Sequence, residues 1–384
     1  MKRILHVASS LDPTRGGPSE SLRMFCCAHV RAGNQVEVIT ADDPAADFVH
    51  IPGVEVHAFG PDRMERLNYR YTPQLVPWLR ANVQRFDSVI ANGLWQYQTV
   101  AVRKAVYGRR PYAVFSHGML DPYFRDRYPL KHLKKLAYWV LHEAKNLNCA
   151  NAVLFTSEEE KRVAAEGFPF RNFRRIVIPY GTMGPLEGDA EEMRQEFAAA
   201  FPAIQGHPYL LYLSRIHPKK GCDLLIEAFA RTAPSEMHLV MAGPDDVNWR
   251  PELEALADRL GVSRRIHWTG MIRGNIKWGA FYGAEAFILP SHQENFGIAV
   301  ADALAAGVIP LISDKINIAP EIASDNACLM EPDTLEGTMR LIQRFTAMSL
   351  EERTTMRARC KDCYQRRYAL ANSAQEVYKA LGIA

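Results

Sequence analysis

The stretch PSHQENFGIAVADALAAG, Pro290–Gly307, sets one carboxylate, Glu294, before Phe296-Gly297 and a second, Asp302, eight positions later. The residues leading into it, AFILPS (286–291), read as a strand, and FGIAVADALAAG reads as a helix of small residues suited to close packing. A strand-to-helix turn of this kind leaves the N–H groups of Phe296, Gly297 and Ile298 at the helix start, where unpaired donors and the positive dipole end favour phosphate. Asp302 falls about 9 Å further along the helix. Acids this close to a phosphate site are repelled by it and are better suited to accept hydrogen bonds from hydroxyls. A ligand with hydroxyls on both sides of a diphosphate, such as a nucleotide sugar, fits that order.

Outward from this stretch, strand and helix signals alternate. RILHVAS (3–9), QVEVIT (35–40), SVIAN (88–92), YAVFSHG (112–118) and AVLFTS (152–157) form one set of strands. YLLYLSR (209–215), MHLVMAG (237–243), RIHWTG (265–270), AFILPS and VIPLIS (308–313) form a second set. The alternation implies right-handed crossovers and parallel sheets, so the expectation is α/β: two Rossmann-like doubly wound domains facing across a cleft. Pro and Gly cluster in IPYGTMGPLEGD (178–189), which places the domains at 1–182 and 183–364, with a C-terminal helix, 365–384, packing back on the first. The length of 384 residues suits two cores.

Composition excludes several classes. Apolar residues make up 48% and charged residues 23%, as in globular proteins, and a net charge of +3 gives no footprint for nucleic acid. No apolar run reaches the length of a membrane span, and the apolar run after MKR is too short for a signal peptide. Seven cysteines do not make a disulfide framework, and Cys360 and Cys363 form a CxxC with no second pair, so no metal site is expected there. The expected location is the cytoplasm.

Two more loops carry chemistry. LDPTRGGPSESL (11–22) joins the first strand to the first helix; Gly16 and Gly17 remove side chains where a ligand can approach backbone. It is not a GxGxxG, so a nicotinamide fold is not favoured, and the plain reading is a strand–helix turn. SRIHPKKGCDLLIEAF (214–229) follows the first strand of the second domain, and Arg215 and Lys220 suit the two phosphates of a diphosphate. The plain reading there is a solvated basic loop. Trp95 and Tyr97 in NGLWQYQ (92–98) could stack on an acceptor sugar, although buried aromatics are commoner. YFRDRYPLKHLKKLAYWVLHEAK (123–145) mixes Arg125, Arg127, Lys131, Lys134 and Lys135 with Leu and Trp. It is read first as a surface helix packed on its domain and second as a peripheral contact with the inner face of an anionic membrane.

The Gly-Gly loop, the SRIHPKKG loop and the Glu294-x7-Asp302 spacing resemble the retaining glycosyltransferases of family GT4 with the GT-B fold. SHGMLDPY (116–123), FTSEEE (155–160) and VIPYG (177–181) fit the same order, so the likeness spans nearly the whole chain. The resemblance implies that Arg215 and Lys220 grip the donor diphosphate, that Gly16 and Gly17 let backbone meet it, and that Asn295, Phe296, Gly297 and Ile298 complete the donor side. It further implies that Glu294 binds donor-sugar hydroxyls, that Asp302 holds the ribose, and that His117 lies near the transferred sugar.

Two positions depart from the pattern. Asp302 stands where the family usually has Glu, and Tyr180-Gly181 replaces Asn-Gly. The activity implied is a metal-independent hexosyl transfer from a UDP- or GDP-sugar to a glycan or lipid-linked acceptor in cell-surface polysaccharide synthesis, with no cofactor and no nucleic-acid partner. No Asp-x-Asp occurs in the chain, and no enzymic nucleophile for a double displacement is evident. Other enzymes of the same fold (sugar-phosphate synthase, phosphorylase, epimerase) and a two-lobed sugar- or nucleotide-binding protein are the competing readings.

Overall fold

The structure, a computed structural model, describes residues 1–15, 17–60, 69–122, 129–178, 180–185, 188–370 and 373–383. The chain divides into two compact units, Met1–Gly181 with Leu370–Ala384, and Thr182–Ala369.

The first unit runs β1 (Arg3–Ala8), α1 (Gly17–Arg31), β2 (Gln35–Thr40), β3 (Glu55–Ala58), α2 (Leu75–Asn82), β4 (Ser88–Asn92), α3 (Tyr97–Val106), β5 (Tyr112–Phe115), α4 (Pro129–Tyr138), α5 (Ala144–Asn148), β6 (Ala152–Phe155), α6 (Glu158–Gly167) and β7 (Arg175–Val177). Its seven strands pair in the order β3-β2-β1-β4-β5-β6-β7, and every pairing is parallel. A parallel sheet is covered on both faces, which explains why β1 and β2 are buried nearly end to end rather than at alternate residues. Alternation instead assigns residues to two cores. Leu5, Val7, Val89, Ala91, Val114 and Phe155 pack in one cluster with α2 and α3, whereas Val36 and Val38 pack with Leu22 and Cys26 of α1 in the other.

The second unit runs α7 (Ala190–Ala200), β8 (Tyr209–Leu213), α8 (Cys222–Thr232), β9 (His238–Ala242), α9 (Arg250–Arg259), β10 (Ile266–Gly270), α10 (Gly274–Gly283), β11 (Ala286–Leu289), α11 (Ile298–Ala306), β12 (Pro310–Ser313), α12 (Ala319–Ser324), β13 (Leu329–Glu331), α13 (Leu335–Ala347) and α14 (Leu350–Cys363). Asp189 caps α7 by accepting from Glu191 N, and Ser349 with Glu352 forms a capping box on α14, as their sequences favour. The sheet order is β10-β9-β8-β11-β12-β13, again all parallel.

Each sheet therefore has the order 3-2-1-4 at its centre. The direction of winding reverses between β1 and β4 in the first unit and between β8 and β11 in the second. Such a switch point opens a crevice at the carboxyl ends of its two strands, where loops leave in opposite directions. The tail stays with the second unit through Tyr368, because Tyr364 Oη donates to Thr182 O (2.8 Å) and Thr182 N to Tyr368 O (3.0 Å). The last helix, α15 (Ser373–Leu381), belongs to the first unit, where Tyr378 Oη lies 2.6 Å from Nδ1 of the buried His29 on α1. The segment carrying the basic amphipathic pattern lies partly outside the described residues, at 123–128. Of the rest, Leu133 and Leu141 are exposed and Trp139 is fully buried, with its Nε1 donating to Pro169 O (2.6 Å). No described helix is long and apolar enough to cross a membrane.

Candidate active site

In the second unit, the loops after β8 and β11 meet at the switch point. Gly221 makes the meeting tight: its φ is +65°, and a Cβ there would stand 2.3 Å from Pro290 O at the end of β11. Hydrogen bonds to one carbonyl complete the seam, with His292 N donating to Lys219 O (2.8 Å) and the Ser291 hydroxyl donating to the same oxygen (3.0 Å). Ser313 Oγ donates to Ser291 O (2.5 Å), which ties in β12.

This seam carries Lys220, which is buried, to Glu294, which is half-buried. Lys220 Nζ donates to the Glu294 carboxylate and also lies 3.4 Å from Gln293 O. Lys219 Nζ donates to Gln293 Oε1 (3.3 Å). Arg215 is exposed on the same loop, its carbonyl accepting from the buried Tyr212 Oη (2.7 Å). Burial first, then the charges of Arg215, Lys219 and Lys220, push His217 below its ordinary value. The β8 loop is therefore an electropositive element, with two of its cations anchored to the β11 loop.

Glu294 is fixed through its backbone. Its N donates to Lys315 O (3.1 Å), and its O accepts from Asn317 N (3.0 Å), a bridge to the loop after β12. Asn317 Nδ2 donates to Asn295 Oδ1 (3.3 Å), and Phe296 packs edge-on to Tyr368 at 5.8 Å. Gly297 precedes α11 with φ +78°, a left-handed turn that a Cβ would strain and that delivers Ile298 as the first helical residue. Glu294 and the opening of α11 thus sit on one loop beside Lys220.

Asp302, one turn further, is 3% exposed, and its Oδ2 accepts from Lys277 Nζ (3.1 Å), whose ammonium lies 4.5 Å from the Trp278 ring centroid. The sequence reading did not name Lys277. Its signal, GNIKWGAFYG, is an ordinary helix with one Lys, and the partner is 25 residues away.

In the first unit, α1 begins at Gly17 with no atom of the described residues within 4 Å of where a Cβ would stand; Gly16 lies outside the described residues. Asp42 shapes the loop before it, accepting from Ser10 Oγ, Leu11 N and Thr40 Oγ1, each at 2.6 Å. His117 follows β5 in a left-handed conformation, φ +48°, with its ring stacked on Phe115 at 4.7 Å. Its Nε2 has no hydrogen-bond partner among the described residues, and burial lowers it to about 4, so the ring is neutral near pH 7.

Glu160 holds this turn, and the sequence reading quoted it only as part of FTSEEE. Its Oε1 accepts from Ser116 Oγ and Gly118 N (both 2.6 Å), the residues flanking His117, and its Oε2 accepts from Thr156 N and Oγ1 (both 2.7 Å).

Of the two acceptor-side aromatics, Tyr97 is 8% exposed and packs in the core against Tyr71 and Tyr69, which is a correction: as the first residue of α3 it turns inward and offers no free face. Trp95 is partly exposed, has φ +70° at the end of β4, donates from Nε1 to Met119 O (3.2 Å) and carries Lys135 Nζ 4.8 Å over its ring.

The comparisons with known proteins bear on the family and the fold. The family described as glycosyl transferases group 1 matches residues 193–362, and the glycosyl transferase 4-like domain matches residues 16–181. A GDP-mannose:cellobiosyl-diphosphopolyprenol alpha-mannosyltransferase of Xanthomonas oryzae pv. oryzae is 25% identical over 399 aligned positions, covering 99% of this chain and 98% of that protein. Its namesake in Xanthomonas campestris is 23% identical over 397 positions, with 99% and 97% covered. Among solved structures, Anabaena HepE in complex with UDP and glucose superposes with a TM-score of 0.75 at 18% identity, covering 100% of both chains. The sucrose-phosphate synthase of Thermosynechococcus elongatus gives a TM-score of 0.78 at 20% identity, covering 100% of this chain and 99% of that one. The chain belongs to the GT4-type glycosyltransferases and has their GT-B fold of two Rossmann-like domains.

Proposed function

We propose that this glycosyltransferase moves a mannosyl residue from GDP-mannose, with retention of configuration, to a lipid-linked saccharide used in cell-surface polysaccharide synthesis. The observation that carries the donor half is the meeting of Lys220 and Glu294 on adjacent loops of a switch point, beside the opening of α11. The choice of mannose and of a diphosphopolyprenol-linked acceptor rests on the two Xanthomonas mannosyltransferases, which match this chain over nearly its whole length.

In this reading Arg215 and Lys220 neutralise the diphosphate and the charge that develops as the glycosidic bond breaks. The amides of Gly297 and Ile298 add the dipole of α11. Lys220 bridges the diphosphate and Glu294, so the carboxylate can accept from sugar hydroxyls without repelling the phosphates. Asp302, its charge balanced by Lys277, accepts from the ribose. In the first unit, His117 is neutral and held in a left-handed backbone conformation. These cations take the place of a divalent ion, and no cofactor is needed. The leaving phosphate takes the acceptor's proton on the same face, and the protein contributes positioning and charge.

The test is a donor screen by thermal shift with GDP-mannose, UDP-glucose and their free nucleotides, followed by mannosyl transfer from labelled GDP-mannose to a synthetic diphosphoprenyl disaccharide. Stabilisation and transfer specific to GDP-mannose support the reading. Stabilisation by the uridine nucleotides alone contradicts it.

A further inference from the structure

We propose that the outward face of α4 and α5, where Leu133, Ala137, Val140 and Leu141 are flanked by Lys134 and Lys145, docks the first unit on the surface of an anionic phospholipid bilayer. The proposal stands apart from the donor reading, because it concerns a different surface and is tested without substrate.

The helical run is continuous. A π turn, Trp139–Glu143, joins α4 to α5, so residues 129–148 form one run on the first unit. Its inner face is committed to the core. Trp139, Glu143, Asn146 and Leu147 are fully buried, Leu136 packs against the core cluster, and Arg103 Nε donates to Asn146 Oδ1 (2.7 Å).

The outer face differs from that of an ordinary surface helix, which turns its leucines inward. Leu133 is 63% exposed, Val140 55% and Leu141 70%, and Ala137 is exposed between them. Positions 133, 137, 140 and 141 follow the i, i+4, i+7, i+8 spacing of a single stripe. Of the nine large apolar side chains exposed among the described residues, three lie in this stripe. A fourth, Phe170, stands at the end of the run, where its carbonyl accepts from Asn148 Nδ2 (3.1 Å). Isolated exposed leucines are ordinary, but a contiguous apolar stripe rimmed by polar groups marks a surface that meets a partner.

Charge identifies the occupant. Residues 129–148 hold four lysines and a single acid, Glu143. That acid is turned inward, where Thr99 Oγ1 donates to its Oε2 (3.3 Å), and burial raises it to about 8, so it lends no negative charge to the outer face. Lys134 and Lys145 are exposed beside the stripe and form no ion pair among the described residues. An apolar stripe between cations matches lipid: the leucines enter the boundary between headgroups and acyl chains, and the ammonium groups meet anionic headgroups. A second copy of this chain is a poorer match, because a two-fold contact through the stripe sets lysine against lysine.

The same helix sets Lys135 Nζ 4.8 Å over the ring of Trp95, which follows β4. Docking by this face lays the bilayer beside the loop after β4, the side from which the lipid-linked acceptor proposed above would arrive.

The experiment sediments the full chain with vesicles of phosphatidylcholine alone and of about two parts phosphatidylcholine to one part phosphatidylglycerol, at low and high salt. The expected result is partitioning onto the mixed vesicles at least about tenfold stronger than onto phosphatidylcholine, and weaker as salt rises. Leu133→Ser/Leu141→Ser and, separately, Lys134→Gln/Lys145→Gln should each lower it at least about fivefold. Leu350→Ser, at an exposed leucine of α14 in the second unit, should leave it unchanged. All five side chains are exposed, so urea midpoints are expected to match wild type, which separates lost docking from lost folding. No partitioning, equal partitioning onto both vesicles, wild-type partitioning by either double variant, or an equal loss in Leu350→Ser would overturn the proposal. So would a concentration-dependent dimer that Leu133→Ser/Leu141→Ser abolishes, with no vesicle binding. None of these outcomes bears on transfer from GDP-mannose, which is measured separately.

Discussion

Lys220, from the loop after β8, donates to the carboxylate of Glu294, from the loop after β11, and the two side chains close the switch point of the second sheet. Neither side chain is placed by its own helix. Gly221 pressed against Pro290 O brings the loops together, and the bridge from Glu294 to Ile316 fixes the carboxylate. Loss of either side chain removes the other's charge partner.

Removal of either member is expected to have different consequences. Lys220→Ala should abolish stabilisation by every nucleotide diphosphate and lower kcat by about 100- to 1000-fold, because a preorganised cation is lost. Glu294→Gln should leave stabilisation by plain GDP within a factor of about three while lowering that by the intact nucleotide sugar, because only the sugar's hydroxyls use the carboxylate. Thermal shift with the two ligands on each variant checks both statements.

Glu160→Gln should destabilise the first unit by roughly 2–4 kcal/mol, since a carboxylate meeting four donors is replaced by an amide whose NH2 faces two of them. Because Ser116 and Gly118 flank His117, turnover should fall even at temperatures where the variant stays folded. Urea unfolding and steady-state rates, measured at about 15 °C, separate the two effects.

Gly221→Ala should cost more than about 2 kcal/mol, because the added methyl meets backbone rather than a movable side chain and φ +65° strains any other residue. Gly17→Ala is the control, since it opens on space and should change stability by less than about 1 kcal/mol. Chemical denaturation of the two variants side by side is the measurement.

Stability should pass through a maximum near pH 6.5. His29 and His117 are lowered by burial from 6.5 to about 4, and His6 is lowered by burial and by His29 and His117. Their contribution is complete above the unfolded value and is lost as pH falls from 6.5 towards 4, on the order of 3 kcal/mol for each of the first two. Glu143 acts in the other direction. Burial raises it from 4.5 to about 8, against hydrogen bonds from Thr99 and Asn146, so its contribution is complete below 4.5 and lost as pH rises through 8. Equilibrium unfolding from pH 4 to 9 should show both limbs, and Glu143→Gln should flatten the alkaline one.

The architecture was legible in the sequence because parallel strands are short apolar runs bounded by Gly, Pro and polar turns, and ten of the thirteen described strands were readable as such; β3, β7 and β13, only three or four residues long, were not. RILHVAS became β1, and AFILPS became β11 with its loop. Local pattern singled out Lys220, Glu294 and Gly297, and the structure brings them together on adjacent loops of one switch point. It was not legible where partners are distant in sequence: Lys277 with Asp302 across 25 residues, and Glu160 with Gly118 across 42. Tyr97 was misread because sequence alone does not say which way the first residue of a helix points.

The most direct test of the account is the release of GDP from GDP-mannose in the presence of a diphosphoprenyl-linked disaccharide, without added metal and with a chelator present. The account predicts acceptor-dependent release by the wild-type chain that drops at least about 100-fold in Lys220→Ala. Release that requires a divalent ion, or that is the same in Lys220→Ala as in wild type, would contradict it.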